Sequence, residues 1–224
     1  MSRIAVCVFA KPPRPGDAKT RLAAELGDEL AARFARAFLL DTWALVRSLD
    51  FADPVLATTD AADPFWAELP DATIWPQGDG DLGDRMERVL HRALETHPAA
   101  IIMGSDVPGA PVAALNQARG ALRFADTVVG PAEDGGFYLL GCRRPCPSGL
   151  FRGIEWSTGR TRRQTEARLR SLKLSVIQVA PWFDIDRVDD LRRLALLGNR
   201  LRQAAPHTAS VLASWALAAD HPIS

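Results

Sequence analysis

The chain has 224 residues, 47% of them hydrophobic, and its 27 basic and 27 acidic side chains give a formal charge of zero. This length and composition are typical of one large α/β domain with a substantial core, and zero net charge excludes a global field that attracts nucleic acid or anionic membranes. The N-terminal apolar run is too short for a signal peptide, and no stretch approaches the roughly 20 apolar residues of a membrane span, so we expect a cytoplasmic protein.

The first predicted strand leads into a basic loop. Ile4–Ala10 is a nearly continuous apolar run, which predicts a central parallel strand covered on both faces. The loop KPPRPGDAK follows, and Lys11 and Lys19 within it are two of only three lysines in the chain. Lysine acts as a compact point charge on phosphate, so this loop is a candidate phosphate site, with a solvated basic loop as the alternative. The GxxxxGK[ST] and GxGxxG patterns are absent after the strand, which disfavours ATPases and ordinary dehydrogenases.

The next elements are a long amphipathic helix over residues 28–49 and two strands over residues 54–59 and 72–75. They are followed by the glycine- and aspartate-rich segment QGDGDLGDRM, which is typical of a surface loop. Its backbone could also approach a nucleotide, with Arg85 available for phosphate.

An aspartate follows the buried strand at the centre of the chain. Ile101, Ile102 and Met103 are predicted to form this strand, and the turn GSDVP leaves its carboxyl end. Ligands of open α/β sheets bind at that edge, so Asp106 is a candidate metal ligand or catalytic carboxylate. The alternative is that Asp106 only caps the turn.

A second acidic turn, GPAEDGGFYLLG, follows a strand that begins at Thr127. Glu133 and Asp134 precede two glycines, a pattern that fits a simple hairpin. It also fits a carboxylate facing a reacting group while the glycines let the backbone approach a ligand.

The last third of the chain supplies another group of aspartates. The segment IEWST precedes a basic helix over residues 159–172, and Ser157 or Thr158 is a candidate cap for it. In the later segment FDIDRVDDL, Asp184 and Asp186 share one face of an extended backbone, so both could point toward one cation. Asp189 and Asp190 favour the N-terminus of the following helix. Because no histidine lies in these turns, Mg²⁺ or Mn²⁺ is a better candidate than zinc.

These motifs together resemble the bacterial DUF2064 family. The resemblance covers most of the chain and is carried by six segments in order: FAKPPRPGDAKTRL, GDLGDRM, GSDVPGAP, GPAEDGGFYLLG, FRGIEWST and FDIDRVDDL. The family is glycosyltransferase-like and resembles the nucleotide-diphospho-sugar transferase, or GT-A-like, superfamily. The resemblance therefore implies a three-layer α/β/α Rossmann-like sandwich with a mostly parallel sheet, and a nucleotide donor. The first loop lacks the GGxSxRMG pattern of many nucleotidylyltransferases.

The residues and the resemblance together give each site residue a candidate role. Asp106 and Asp186 match the metal-binding positions. Lys19 and Asp134 are the catalytic candidates, Lys19 for charge on the leaving phosphate and Asp134 as the base that activates an acceptor hydroxyl, with Glu133 as the alternative base. The nucleotide- and phosphate-binding candidates are Lys11, Arg14, Lys19, Arg21, Asp81 and Arg85. The acceptor-binding candidates are Glu133, Asp134, Gly135, Gly136, Trp156 and Thr158.

The leading hypothesis is a metal-dependent glycosyltransferase-like enzyme with a nucleotide-sugar donor and a small-molecule acceptor. The alternatives are a nucleotidylyltransferase that releases pyrophosphate from a nucleoside triphosphate, and a nucleotide-binding protein without turnover. Residues 1–204 are predicted to form the single domain and residues 205–224 a helical C-terminal extension. Neither nucleic acid nor a membrane span is expected, and the oligomeric state stays open.

Overall fold

Seven strands form one central sheet in the computed structural model, which describes residues 3–69 and 71–218. In chain order they are β1 (Ile4–Ala10), β2 (Ala52–Thr58), β3 (Thr73–Pro76), β4 (Ala99–Gly104), β5 (Thr127–Pro131), β6 (Phe137–Arg143) and β7 (Val176–Gln178). Their order across the sheet is β3-β2-β1-β4-β6-β5-β7. Strand β1 occupies the predicted residues and pairs in parallel with both β2 and β4. The mostly parallel sheet is confirmed.

Strand β6 is the exception to the parallel arrangement, because it runs antiparallel to both of its neighbours, β4 and β5. The chain reaches it from β5 through the short turn 132–136, and a connection this short can only join antiparallel strands. The turn therefore lies at the same edge of the sheet as the carboxyl ends of β1 and β4. The hairpin interpretation of the second acidic turn is thus confirmed.

Helices cover both faces of the sheet. In the described part of the chain they are α1 (Thr20–Leu26), α2 (Asp28–Arg47), α3 (Leu82–Thr96), α4 (Val112–Ala121), α5 (Thr161–Ser171), α6 (Val188–Ala195), α7 (Asn199–Ala204) and α8 (Pro206–Ala218), with a short 3₁₀ helix at Pro64–Glu68. Apolar residues of β1 alternate between two cores: Val6 and Val8 pack with α2 and α4, whereas Cys7 packs with α3 and α5. This alternation produces the three layers of the predicted α/β/α sandwich.

A third core lies away from the sheet, between α1, α2 and the C-terminal helices. Phe34 and Phe38 of α2 belong to it, so the aromatic side chains of this amphipathic helix are core residues that lie away from the sheet. The ring of Phe34 meets the edge of Trp215 in α8 at a centroid distance of 6.2 Å. The proposed boundary at residue 204 stays a prediction, and residues 219–224 of the proposed extension lie outside the described part. No helix within the described residues combines the length and apolar character that a bilayer crossing needs.

Asp41 of α2 holds the start of α8. Its side chain is 2% exposed and accepts hydrogen bonds from the backbone N–H groups of His207 and Thr208, at 3.0 and 2.8 Å. We expect Asp41→Ala to lower the free energy of unfolding by about 2 kcal/mol, because two helix N-terminal donors lose their acceptor. Urea denaturation measures this change. The exposed Asp50→Ala variant is the control, and equal losses in both variants would contradict the capping role.

Candidate active site

A cavity of about 650 Å³ opens at the carboxyl ends of β1 and β4. Phe9 and Ala10 at the end of β1 line it on one side, and Gly104, Ser105 and Asp106 line it where the chain leaves β4. This is the edge at which open α/β sheets bind ligands. The main cavity is therefore where the sequence predicts the site.

Three carboxylates converge in the main cavity. Asp106, Asp184 and Asp186 each offer one oxygen, and these oxygens all lie within 4.8 Å of one another. The side chains of Asp106 and Asp186 are each 35% exposed, so the group is open to a ligand while partly shielded from water. The predicted convergence of the Asp106 turn with the late aspartates is what the structure shows.

The backbone around Ile185 explains this convergence. Its N–H donates a hydrogen bond to the carbonyl oxygen of Asp106 at 3.1 Å, and its own side chain is fully buried. In an extended segment the residues on either side of a buried side chain point the opposite way, so Asp184 and Asp186 face the cavity together. Asp190, in the first turn of α6, accepts a hydrogen bond from the N–H of Asp186 at 3.0 Å and fixes the end of the segment.

Lys19 places its ammonium group between two of these carboxylates. Its Nζ lies 2.7 Å from Oδ2 of Asp106 and 2.8 Å from Oδ1 of Asp186, and Arg21 reaches the other oxygen of Asp186 at 3.2 Å. Lys19 directly precedes α1 with φ of 52°, in the left-handed region that non-glycine residues rarely adopt. Backbone strain of this kind tends to persist at functional sites.

The electrostatics of the group follow from burial and mutual charge. Burial opposes the charge of the Lys19 ammonium, but the carboxylates of Asp106 and Asp186 outweigh it and raise the Lys19 pKa. Burial likewise opposes the charge of Asp186, yet Lys19 and the nearby arginines lower its pKa. Asp184 has no basic partner among the described residues, so burial and the neighbouring carboxylates raise its pKa to about 6.

This donor set fits a divalent cation. All three groups are carboxylates, which is the ligand type that Mg²⁺ and Mn²⁺ prefer. The ammonium of Lys19, which is itself a cation, lies between two of these carboxylates. A hard cation held here would face the basic rim of the cavity, which Lys11, Arg21 and Arg85 line. Cationic groups and a metal site on one cavity can together hold a diphosphate.

Two of the predicted nucleotide-binding residues lie outside the main cavity lining. The guanidinium of Arg14 pairs with Asp60 at 2.8 Å and also with Asp63. Asp81 caps α3, because its side chain accepts a hydrogen bond from the N–H of Asp84 at 3.0 Å. Both side chains therefore have structural partners where the sequence suggested a ligand.

A second, smaller cavity adjoins the first. This side chamber, of about 200 Å³, is lined by four of the predicted acceptor-binding residues: Asp134, Gly136, Trp156 and Thr158. It shares a boundary with the main cavity at Phe9, Leu82, Gly104, Asp134 and Ser157. Asp134 therefore lies at the junction of the two cavities.

Two further acceptor-binding candidates do not line either cavity. Glu133 points to α6 and pairs with both terminal nitrogens of Arg193, one of them at 2.7 Å, and this guanidinium lowers the Glu133 pKa. Gly135 has φ of 90° and packs on the backbone of Gly159. These residues support the turn that carries Asp134.

The predicted cap of α5 is wrong. The residue before the helix is Arg160, and no side chain caps the first turn. Ser157 instead adopts φ of 58° and lines both cavities, while the hydroxyl of Thr158 donates to the carbonyl oxygen of Glu155 at 3.2 Å. The hydroxyl oxygen of Thr158 also accepts a hydrogen bond from the N–H of Arg160 at 3.3 Å, so it closes the turn just before α5 and does not cap a residue inside the helix.

The contact between Gly135 and Gly159 gives a testable prediction. A Cβ at Gly135 would lie 2.6 Å from the Cα of Gly159, whereas a Cβ at Gly153, which also has positive φ, meets nothing within 4 Å. We expect Gly153→Ala to cost about 1 kcal/mol of unfolding free energy and Gly135→Ala at least about 2 kcal/mol more. Denaturant unfolding of both variants measures the difference, and equal costs would show that the two loops separate freely.

Three residues of the site have a larger part in it than the sequence patterns indicate. The alternation of residues 184–186 indicates only that Asp184 and Asp186 share a face. The structure shows that Asp184 completes the group of three carboxylates. Ser157 was considered only as a cap. Gln77 was not singled out, although it is 4% exposed, lines the main cavity and donates through Nε2 to the carbonyl oxygen of Ala57 at 2.8 Å. Its position at the start of the acidic loop is the signal that could have identified it.

Comparisons with known proteins agree with this architecture. The model of a family described as uncharacterized proteins conserved in bacteria, DUF2064, matches residues 42–158. A crystal structure from Desulfovibrio desulfuricans G20, provisionally named a nucleotide-diphospho-sugar transferase, is 32% identical with a TM-score of 0.88, and the alignment covers 99% of each chain. No curated protein matches the chain.

Two more distant structures share the fold. A cytidylyltransferase from Leptospira borgpetersenii is 9% identical with a TM-score of 0.58, over 95% of this chain and 97% of that one. Glucosyl-3-phosphoglycerate synthase from Mycobacterium tuberculosis, solved with Mn²⁺, UDP and glucosyl-3-phosphoglycerate, is 11% identical with a TM-score of 0.53, over 95% and 80%. The predicted nucleotide-diphospho-sugar transferase fold is confirmed.

Proposed function

The chain belongs to the DUF2064 family, and we propose that this member is a metal-dependent glycosyltransferase-like enzyme with a nucleotide-sugar donor. The observation that carries the proposal is the meeting of three carboxylates with Lys19 at the carboxyl edge of the sheet. A fold alone does not determine chemistry, so the assignment depends on these side chains.

Asp106, Asp184 and Asp186 would hold the cation, with Mg²⁺ or Mn²⁺ as the candidates. Such a cation supplies positive charge that neutralises the diphosphate of the donor. The Mn²⁺ and UDP present with the glucosyl-3-phosphoglycerate synthase support this choice by analogy of fold. The observation in this chain is its all-oxygen donor group beside a basic rim.

The protein's own groups would handle the leaving group and the acceptor. Lys19, with Lys11 and Arg21 on the same cavity, stabilises charge on the departing nucleoside diphosphate. An acceptor hydroxyl attacks the anomeric carbon, the bond from that carbon to the phosphate oxygen breaks, and the hydroxyl proton passes to Asp134. One oxygen of Asp134 accepts a hydrogen bond from the N–H of Gly136 at 2.7 Å, which orients the carboxylate.

Nucleotidyl transfer is the second candidate, because the pairing of Glu133 with Arg193 removes one of the two carboxylates of the acidic turn that could act as a base. Attack of a phosphate oxygen on a nucleoside triphosphate needs no such base, only charge stabilisation for the pyrophosphate that leaves. The same metal and phosphate positions serve both reactions.

Product analysis distinguishes these functions. The purified protein is incubated with Mg²⁺ or Mn²⁺ and a panel of nucleotide sugars and nucleoside triphosphates, and nucleotide products are followed by mass spectrometry. Metal-dependent release of a nucleoside diphosphate from a nucleotide sugar is the expected result. Pyrophosphate from a triphosphate would establish the second candidate instead. A nucleotide that binds and stays unchanged would contradict both and favour a non-catalytic binding protein.

A further inference from the structure

The side chamber differs in chemistry from the main cavity. Its wall is mostly apolar, with Phe9, Met86, Ile102, Met103 and Phe137 contributing beside Trp156. The main cavity beside it collects lysine, arginine and aspartate side chains instead. We propose that the second substrate is an alcohol or phenol with an apolar body, and that the side chamber binds this body. That this ligand is the second substrate rests on the proposed function. The preference for an apolar body rests on the residues that line the chamber.

The polar groups in the chamber wall are largely engaged within the protein. The hydroxyl of Tyr138 donates to the carbonyl oxygen of Ala180 at 2.9 Å. The hydroxyls of Thr158 and Thr161 both donate to the carbonyl oxygen of Glu155, at 3.2 and 2.8 Å. These hydroxyl protons are therefore not available to a ligand without a rearrangement of the wall.

Two wall residues are exceptions: Ser157, which is exposed, and Trp156. The Nε1–H of Trp156 is buried and has no hydrogen-bond acceptor among the described residues. The indole packs against Phe137 and Phe151, at centroid distances of 6.4 and 5.9 Å, so its neighbours hold the ring in place. A buried indole N–H nearly always has an acceptor, and an absent ligand is one of the ordinary reasons for finding none.

The number of available polar groups limits the substrate class. The N–H of Trp156, the hydroxyl of the exposed Ser157 and the second oxygen of Asp134 can serve about three polar atoms of a ligand. A sugar ring carries more hydroxyls than that, and each hydroxyl buried without a partner weakens binding roughly tenfold. An apolar body with one hydroxyl near Asp134 and one acceptor atom near Trp156 matches the chamber. A carbohydrate second substrate does not.

A binding experiment on the protein alone tests this inference. Benzyl alcohol is titrated by saturation-transfer NMR without nucleotide or metal, and methyl α-D-glucopyranoside is added as competitor. We expect benzyl alcohol to bind and the glucoside to leave it bound. We expect Trp156→Phe, which keeps the aromatic packing and removes the N–H, to weaken binding about fivefold.

Trp182→Phe is the matched control. The Nε1 of Trp182 is also buried without an acceptor in the described structure, but this ring packs on Phe183 at 5.0 Å and does not line the chamber. Displacement of benzyl alcohol by the glucoside, absence of benzyl alcohol binding, or equal affinities in Trp156→Phe and Trp182→Phe would each overturn the inference. Because nucleotide and metal are left out, such a failure is separate from a failure to form nucleotide products.

Discussion

Asp106→Asn is expected to lower metal-dependent turnover by about 100-fold, an effect comparable to the loss of one preorganised electrostatic contact in an active site. The substitution removes a negative charge from the carboxylate group, while the amide oxygen can still accept a hydrogen bond from Lys19. The backbone bond from Ile185 to the carbonyl oxygen of Asp106 is also unaffected. The fold should therefore persist, and Mn²⁺-dependent binding of the nucleotide should weaken in calorimetric titrations.

Asp189→Asn is the matched control for this result. Asp189 is 85% exposed and pairs with Arg192 on α6, away from the main cavity lining. It undergoes the same loss of charge and should keep wild-type turnover. Wild-type metal dependence in Asp106→Asn would show that Asp106 is not a metal ligand. A cooperative unfolding transition at the wild-type denaturant concentration would show that a loss of turnover is not a folding defect.

Lys19→Met is expected to raise the affinity for a metal ion and to lower turnover. The ammonium lies within 2.8 Å of two proposed metal ligands, so it competes with a cation for the same oxygens. Two unit charges about 4 Å apart interact by about 4 kcal/mol at an effective dielectric constant near 20, which makes this competition substantial. Affinity for Mn²⁺ without nucleotide should rise at least about tenfold in Lys19→Met, while turnover falls because the leaving phosphate loses its lysine.

Lys173→Met provides the control, because Lys173 also has a left-handed backbone, with φ of 62°, but is exposed on the surface. Any general effect of placing methionine at such a position appears in both variants. Calorimetry with Mn²⁺, with and without UDP, measures the change. Unchanged Mn²⁺ affinity in Lys19→Met would mean that the ammonium and the cation occupy different places.

The comparison of sequence and structure shows which features local patterns encode. The strand at Ile4–Ala10 was predictable because its apolar run is long and ends at a proline-rich loop. Asp106 could be placed at the carboxyl edge of the sheet because it follows a buried strand, whereas Asp186 was linked to the same site by the resemblance of its motif. The six family motifs added the roles, which the structure leaves as proposals.

Contacts between distant segments were beyond such patterns. Arg193 lies sixty positions from Glu133, and nothing local indicates that the two side chains pair. The position of Ser157 depends on how closely Gly135 approaches Gly159, which is a property of packing rather than of propensity. The packing of Phe34 on Trp215 likewise depends on where α8 lies. The apolar spacing of α2 predicts a helix but not the partner of this aromatic ring.

The two cavities are built from different numbers of chain segments, because the antiparallel strand β6 follows directly from the hairpin turn. The proposed phosphate and cation positions come from three segments far apart in sequence, around residues 11–21, 104–106 and 184–186. Much of the side chamber comes from one stretch, residues 134–161, which contains the hairpin turn, β6 and the loop before α5. Side chains in that single stretch can change while the residues that carry the carboxylates stay the same. The topology thus lets evolution alter substrate preference locally while the chemistry at the sheet edge is retained.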